Sequence, residues 1–209
     1  MKPLLEKKIL SACSNGEFIG RGAQLDRLLR HASGESVSHG LVLLSAPSAG
    51  SSELLRQVYD RLFVDSVDVI PFYFEIKATD GTPRNLALRF VREFLLQTVA
   101  FRRRDTKILD SSPEIHEIAE LALPSDGYWI DRLIETFSGE SKLDDDASFV
   151  RSCLSAPLRA ASHGAKSFVM VDGLQTAERM AGGEKFIAEG IFIKFSIDSI
   201  GLYDGDEVR

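Results

Sequence analysis

Apolar positions along this chain alternate between helical spacing and short unbroken runs. Leu4, Leu5 and Ile9 fall on one side of a short amphipathic helix over residues 1–13, which Ser14-Asn15-Gly16 ends. A second helix is expected from about Ala23, carrying Leu25, Leu28 and Leu29 and closing at Ser33-Gly34-Glu35-Ser36. Gly40-Leu41-Val42-Leu43-Leu44 then reads as a buried parallel strand, and Glu53-Leu54-Leu55-Arg56-Gln57-Val58-Tyr59 as the helix after it.

Residues 67–76 are rich in β-formers, but Pro71 cannot donate to a ladder, so this strand is expected at a sheet edge. Thr82 as N-cap and Pro83 at the first helical position open a long helix to about Arg104, with Leu86, Phe90, Phe94 and Val99 inward. Its end, Arg102-Arg103-Arg104, complements the helix C-terminus and reads as a solvated helix end. Residues 105–162 are helical in pattern: one helix from Ser112-Pro113, one capped by Asp126 and holding Trp129, Ile130, Leu133 and Phe137, and one with Phe149, Val150, Cys153 and Leu158 that Pro157 bends or breaks. Asp144-Asp145-Asp146 is a helix-start charge run, not a metal site, because adjacent acids point in different directions. Residues 167–172 form a further strand, and 191–197 a fourth whose alternation is unusual for a strand buried on both faces.

The 209 residues, 44% hydrophobic and 27% charged, suit one globular domain. We read residues 1–38 as N-terminal helices and 39–209 as an α/β core with a helical insertion at about 105–162. A formal charge of -6 argues against nucleic acid or an anionic membrane as partner. Cys13 and Cys153 form no CxxC or Cys/His cluster, which fits a reducing, cytoplasmic setting. No apolar stretch is long enough to predict a membrane span, and the charged N-terminus is wrong for a secretory signal.

Candidate chemistry lies at Ser45-Ala46-Pro47-Ser48-Ala49-Gly50-Ser51-Ser52, between strand and helix. A phosphate loop of pattern G-x-x-x-x-G-K-[ST] cradles phosphate with backbone N–H groups at a helix N-terminus, adds a lysine charge and sets its last hydroxyl on magnesium. Here Gly50 and Ser52 keep their signature positions, while Ser45 replaces the first glycine and Ser51 the lysine. Ser167-Phe168-Val169-Met170-Val171-Asp172 has the form of a Walker B strand, whose terminal aspartate would reach the same magnesium. Gly173 stands where hydrolysis needs a second carboxylate, so we expect no catalytic residue here unless Gln175 or Glu178 substitutes. An Asp-Gly pair is also a common turn, and His31, His39, His116 and His163 are too scattered to form a site.

Phe18-Ile19-Gly20-Arg21 before this loop, with Asp172 and Gln175 downstream, resembles the AAA-related signalling ATPases, in particular their STAND and origin-recognition-like branch. The likeness is good over residues 16–76 and moderate over 167–175. It implies a three-layer P-loop fold with a parallel sheet in the order 5-1-4-3-2. It also implies Phe18, Ile19, Gly20 and Arg21 at the base end of a nucleotide, Ser48, Ala49, Gly50, Ser51 and Ser52 around its phosphates, and Ser52 with Asp172 on magnesium. The fold would be incomplete at its C-terminal end, with no fifth strand or helical lid, as in a fragment or a shortened relative whose edge a partner covers.

Two functions follow. One is a regulatory or signalling module that binds ATP or ADP, with magnesium, and hydrolyses little or none; Lys77, Lys166 or Arg21 would replace the lost lysine charge. The other is a pseudo-ATPase scaffold that binds a protein partner, or itself, and no nucleotide. An active ATPase would need two independent replacements.

Overall fold

The computed structural model describes residues 8–14, 16–34, 41–46, 48–111, 113–141 and 145–177, together with the backbone of 196–200. Contacts divide the chain into two compact units, one of Met1–Ser66 with Phe192–Arg209 and one of Val67–Ile191.

In the first unit, α1 (Gly22–Ala32) buries Leu25, Leu28 and Ala32, and α2 (Ser51–Asp65) buries Leu54, Val58 and Leu62 along one stripe. Strand β1 (Leu41–Ser45) pairs in parallel with β4 (Ser196–Ile200), Leu41 opposite Ser196. The fourth strand therefore lies later than expected, and residues 191–195 of the sequence expectation fall outside the described residues. β1 is less enclosed than its apolar run implies: Leu41, Val42 and Leu43 are half-buried and Leu44 is 53% exposed.

The N-terminal helix is corrected over its described part, since residues 8–13 are not helical. The reason is competition for donors. Amides from Ile9 to Cys13, which a helix would turn toward its own carbonyls, donate instead to the carboxylates of Asp60 and Glu53 on α2. Residues 1–7 lie outside the described residues.

The second unit holds β2 (Ile70–Glu75) and β3 (Ser167–Asp172), also parallel, with Ile70 opposite Ser167 and Glu75 opposite Asp172. Helix α3 (Pro83–Arg103) crosses β2 through aromatic edges: Phe72 meets Phe90 and Phe94 at centroid distances of 5.0 and 5.3 Å, and Phe74 meets Phe90 at 5.1 Å. Its start is as expected, with the Thr82 hydroxyl accepting from the Asn85 amide at 3.2 Å. Its arginine end is engaged: Arg103 donates to the Leu121 carbonyl, and Arg102 lies 3.5 Å from Asp126.

The edge position of β2 holds, and its closure has a visible cause. Ile70 and Ile76 turn their amides toward β3, donating to the Lys166 and Asp172 carbonyls, so the intervening odd residues face outward. There Pro71 has no donor, the Gln97 side chain binds both the amide and the carbonyl of Tyr73 at 3.0 and 2.9 Å, and Arg89 donates to the Glu75 carbonyl at 2.6 Å. Arg89 is itself anchored on Asp80 at 2.7 Å.

Five helices lie between α3 and β3 among the described residues: α4 (Lys107–Asp110), α5 (Ile115–Glu120), α6 (Pro124–Glu140), α7 (Asp146–Leu154) and α8 (Ala156–Ser162). α6 begins at Pro124, not with Asp126 as cap; the buried Asp126 carboxylate instead accepts from the Trp129 ring N–H at 3.0 Å. Asp145 caps α7 by accepting from Ser148, and Ser155 separates α7 from α8, where Pro157 sits in the first turn. Ser112, Asp144 and Glu178 lie outside the described residues.

The protein is thus α/β, with helices flanking small parallel sheets. Among the described residues the strands pair as two separate two-stranded sheets, β1–β4 and β2–β3. No helix among them is long and apolar enough to cross a membrane.

Candidate functional site

The loop from Ser45 to Ser52 leaves the carboxyl end of β1 and enters α2 directly. Ala49 donates to the Ala46 carbonyl at 3.1 Å, closing a turn. Ser48 has φ 62° and Gly50 φ 79°, while Ala49 between them is not left-handed. Gly50 is also the N-cap residue of α2 and offers no side-chain acceptor, so the free amides of the first turn point out of the helix end.

Arg21 stands over this helix end. It precedes α1, with the Leu25 amide donating to its carbonyl at 3.0 Å, and Gly20 before it takes φ 83°. The residue is 7% exposed. Its Nη2 donates to the Ala49 carbonyl, and its Nε lies 3.9 Å from where a Cβ on Gly50 would be. Nη1 is buried and has no hydrogen-bond partner among the described residues. An arginine cannot shed its charge, so an unpartnered N–H in the interior is a costly donor waiting for an acceptor.

Of the other sequence-derived residues, Phe18 is half-buried and Ile19 is 64% exposed. Among the described contacts, Arg21 is the residue of that segment that reaches the loop, at the Ala49 carbonyl. Ser51, in the lysine's position, shares a hydroxyl hydrogen bond of 3.0 Å with Ser45, which ties the two ends of the loop together. Ser52 is half-buried in the first turn.

Asp172, Lys77 and Lys166 belong to the second unit. Asp172 ends β3, where its Oδ2 accepts from the Tyr73 hydroxyl at 3.0 Å and its Oδ1 from the Gly173 amide at 2.8 Å. Gly173 has φ 75°, and a Cβ there would stand 2.8 Å from the Ile76 carbonyl oxygen. No side chain fits that backbone, so the absent carboxylate is a steric requirement of the turn into α9 (Leu174–Ala177). Gln175 is exposed. Among the described residues no three His, Cys, Asp or Glu side chains are grouped as metal ligands.

Sequence reasoning missed the residues that bind the N-terminal segment. Glu53, Gln57 and Asp60 are polar at i, i+4 and i+7 of α2, yet Gln57 and Asp60 are each only 3% exposed. Burial alone would raise the Glu53 carboxyl, but the Ala12 amide, the Cys13 thiol and amide and Gln57 hold it below the ordinary glutamate value. Burial and the facing Glu53 push the Cys13 thiol up. A polar line on an otherwise buried helix was the available signal.

No family model, curated protein or solved structure matches the chain.

Proposed function

We propose that the chain is a regulatory or signalling module that binds ATP or ADP through a degenerate P-loop, in a P-loop-like fold, and hydrolyses little or none of it. The observation that carries this reading is the buried Arg21 guanidinium at the N-terminus of α2, bound to Ala49, with Nη1 unpartnered among the described residues. Arg21 supplies from the preceding segment the charge that Ser51 no longer supplies from the loop. A guanidinium suits this role in two ways, being planar and presenting parallel N–H groups to phosphate oxygens. The amides of the first turn of α2 add their partial positive charge.

Magnesium, when bound with the nucleotide, would neutralise phosphate charge, and Ser52 in the first turn of α2 would offer it a hydroxyl. The chain's own contribution is binding and orientation. Gly173 offers no group to take a proton from water, so bound nucleotide biases conformation and little or none of it is consumed.

A second reading, a scaffold that binds a protein partner and no nucleotide, is favoured by the Ser45–Ser51 hydroxyl pair, which closes the loop on itself. Calorimetric titration with magnesium-ATP and with ADP separates the two. Binding that Arg21→Ala weakens about ten- to hundredfold, the worth of a charge-assisted contact, supports the nucleotide reading. Absence of binding by the unaltered protein leaves the scaffold. Ser51→Lys placed in the Arg21→Ala background is expected to recover part of the lost affinity, since it returns a cation to the same helix end.

A further inference from the structure

A strap that precedes Arg21 in the chain lies along α2. Asp60 accepts from the amides of Ile9, Leu10 and Ser11 at 3.0, 2.8 and 3.3 Å and from the Ser11 hydroxyl at 2.6 Å. Glu53 accepts from the Ala12 amide at 3.0 Å and the Cys13 amide at 3.2 Å, and Gln57 donates to the Cys13 carbonyl at 2.8 Å. Five successive amides are thus held by two carboxylates on one line of the helix.

The strap has a direction. Its first residues sit on Asp60 and its last on Glu53, so it runs toward the N-terminus of α2, where the candidate phosphate site lies. A closed turn follows: Glu17 and Phe18 donate to the Ser14 carbonyl, and the Glu17 carboxylate accepts from the Ser14 amide and hydroxyl, each at 2.7 Å. That turn delivers Gly20 and Arg21. Strap, turn and arginine are one continuous piece of backbone, fixed on the flank of α2 at one end and on its loop at the other.

We propose that Glu53, Gln57 and Asp60 are positioning residues for Arg21, so that attachment of the strap and binding of a nucleotide's phosphates at the α2 N-terminus are coupled. This rests on the nucleotide reading above. Coupling of this kind is reciprocal: phosphate on Arg21 tightens the strap by the factor by which the strap tightens phosphate.

The test uses the full chain, with ADP and inorganic pyrophosphate as probes, and reads two quantities together: affinity by calorimetry and amide exchange over residues 9–13. In the unaltered protein, ADP should slow exchange of those amides. Asp60→Asn with Glu53→Gln should speed it and weaken both probes about fivefold or more. Exchange within α2 at Val58 to Phe63 serves as the control for folding. Leu10→Pro removes one strap donor without altering α2 and is expected to act in the same direction should the acidic variants fail to fold. Arg21→Ala should abolish the protection of the strap by ligand. Arg21-dependent binding that leaves strap exchange unchanged, with the variants binding as tightly as the parent, overturns the coupling and leaves the phosphate site standing. No binding of either probe by the unaltered protein overturns the nucleotide reading and the coupling with it.

Discussion

Gly173 decides more than its missing side chain. A glutamate there would meet the Ile76 carbonyl oxygen, 2.8 Å from its Cβ, on a backbone with φ 75° that disfavours any side chain. Gly173→Glu is therefore expected to lose about 2–4 kcal/mol of stability in denaturant unfolding and to gain no phosphate release from ATP. Turnover in a stably folded variant would show that the turn can open. A second prediction concerns Glu53. Its folded value is depressed, so its contribution is complete above the ordinary glutamate value of 4.5 and is lost as pH falls through the lowered one. Amide chemical shifts of Ala12 and Cys13 should follow that titration, and Glu53→Gln should remove it.

At the scale of elements, the sequence is most legible where the deciding contacts are local. Thr82, Pro83 and the apolar spacing of α3 mark a helix whose cap is made by its own third residue, Asn85. Pro71 marks an edge because a missing donor is visible in one residue. Legibility fails where partners are distant. Residues 8–13 have helical spacing, but the acids that take their amides lie forty to fifty-one positions away. That Arg21 reaches the Ala49 carbonyl, 28 positions away, is set by the fold. The Gln97 clamp on Tyr73 is likewise invisible in the sequence, being one amide side chain among several polar residues of a long amphipathic helix. Gln97→Met, similar in volume, would remove the two buried hydrogen bonds that Gln97 makes to the amide and carbonyl of Tyr73. We expect a loss of about 2–4 kcal/mol in unfolding midpoint measurements, with self-association in light scattering as the outer edge of β2 becomes available for pairing.

At the scale of the molecule, the second unit is one continuous stretch, Val67–Ile191, while the first is assembled from both sides of it. The segment 67–191 produced alone should unfold cooperatively, since its strands and the helices that cover them lie within it. Noncooperative melting of that fragment would show that it depends on the rest of the chain. The first unit carries a different burden. Leu41 pairs with Ser196, a separation of 155 residues from 196 less 41. At a translation rate of about 5–20 residues per second, roughly 8–30 s pass between synthesis of the one and of the other. For that interval every nascent copy carries Leu41-Val42-Leu43-Leu44 without the strand it is built to meet, at the ribosome and in reach of its neighbours on the same message. The loop that follows β1 acquires its finished frame only once residues 196–200 have been made.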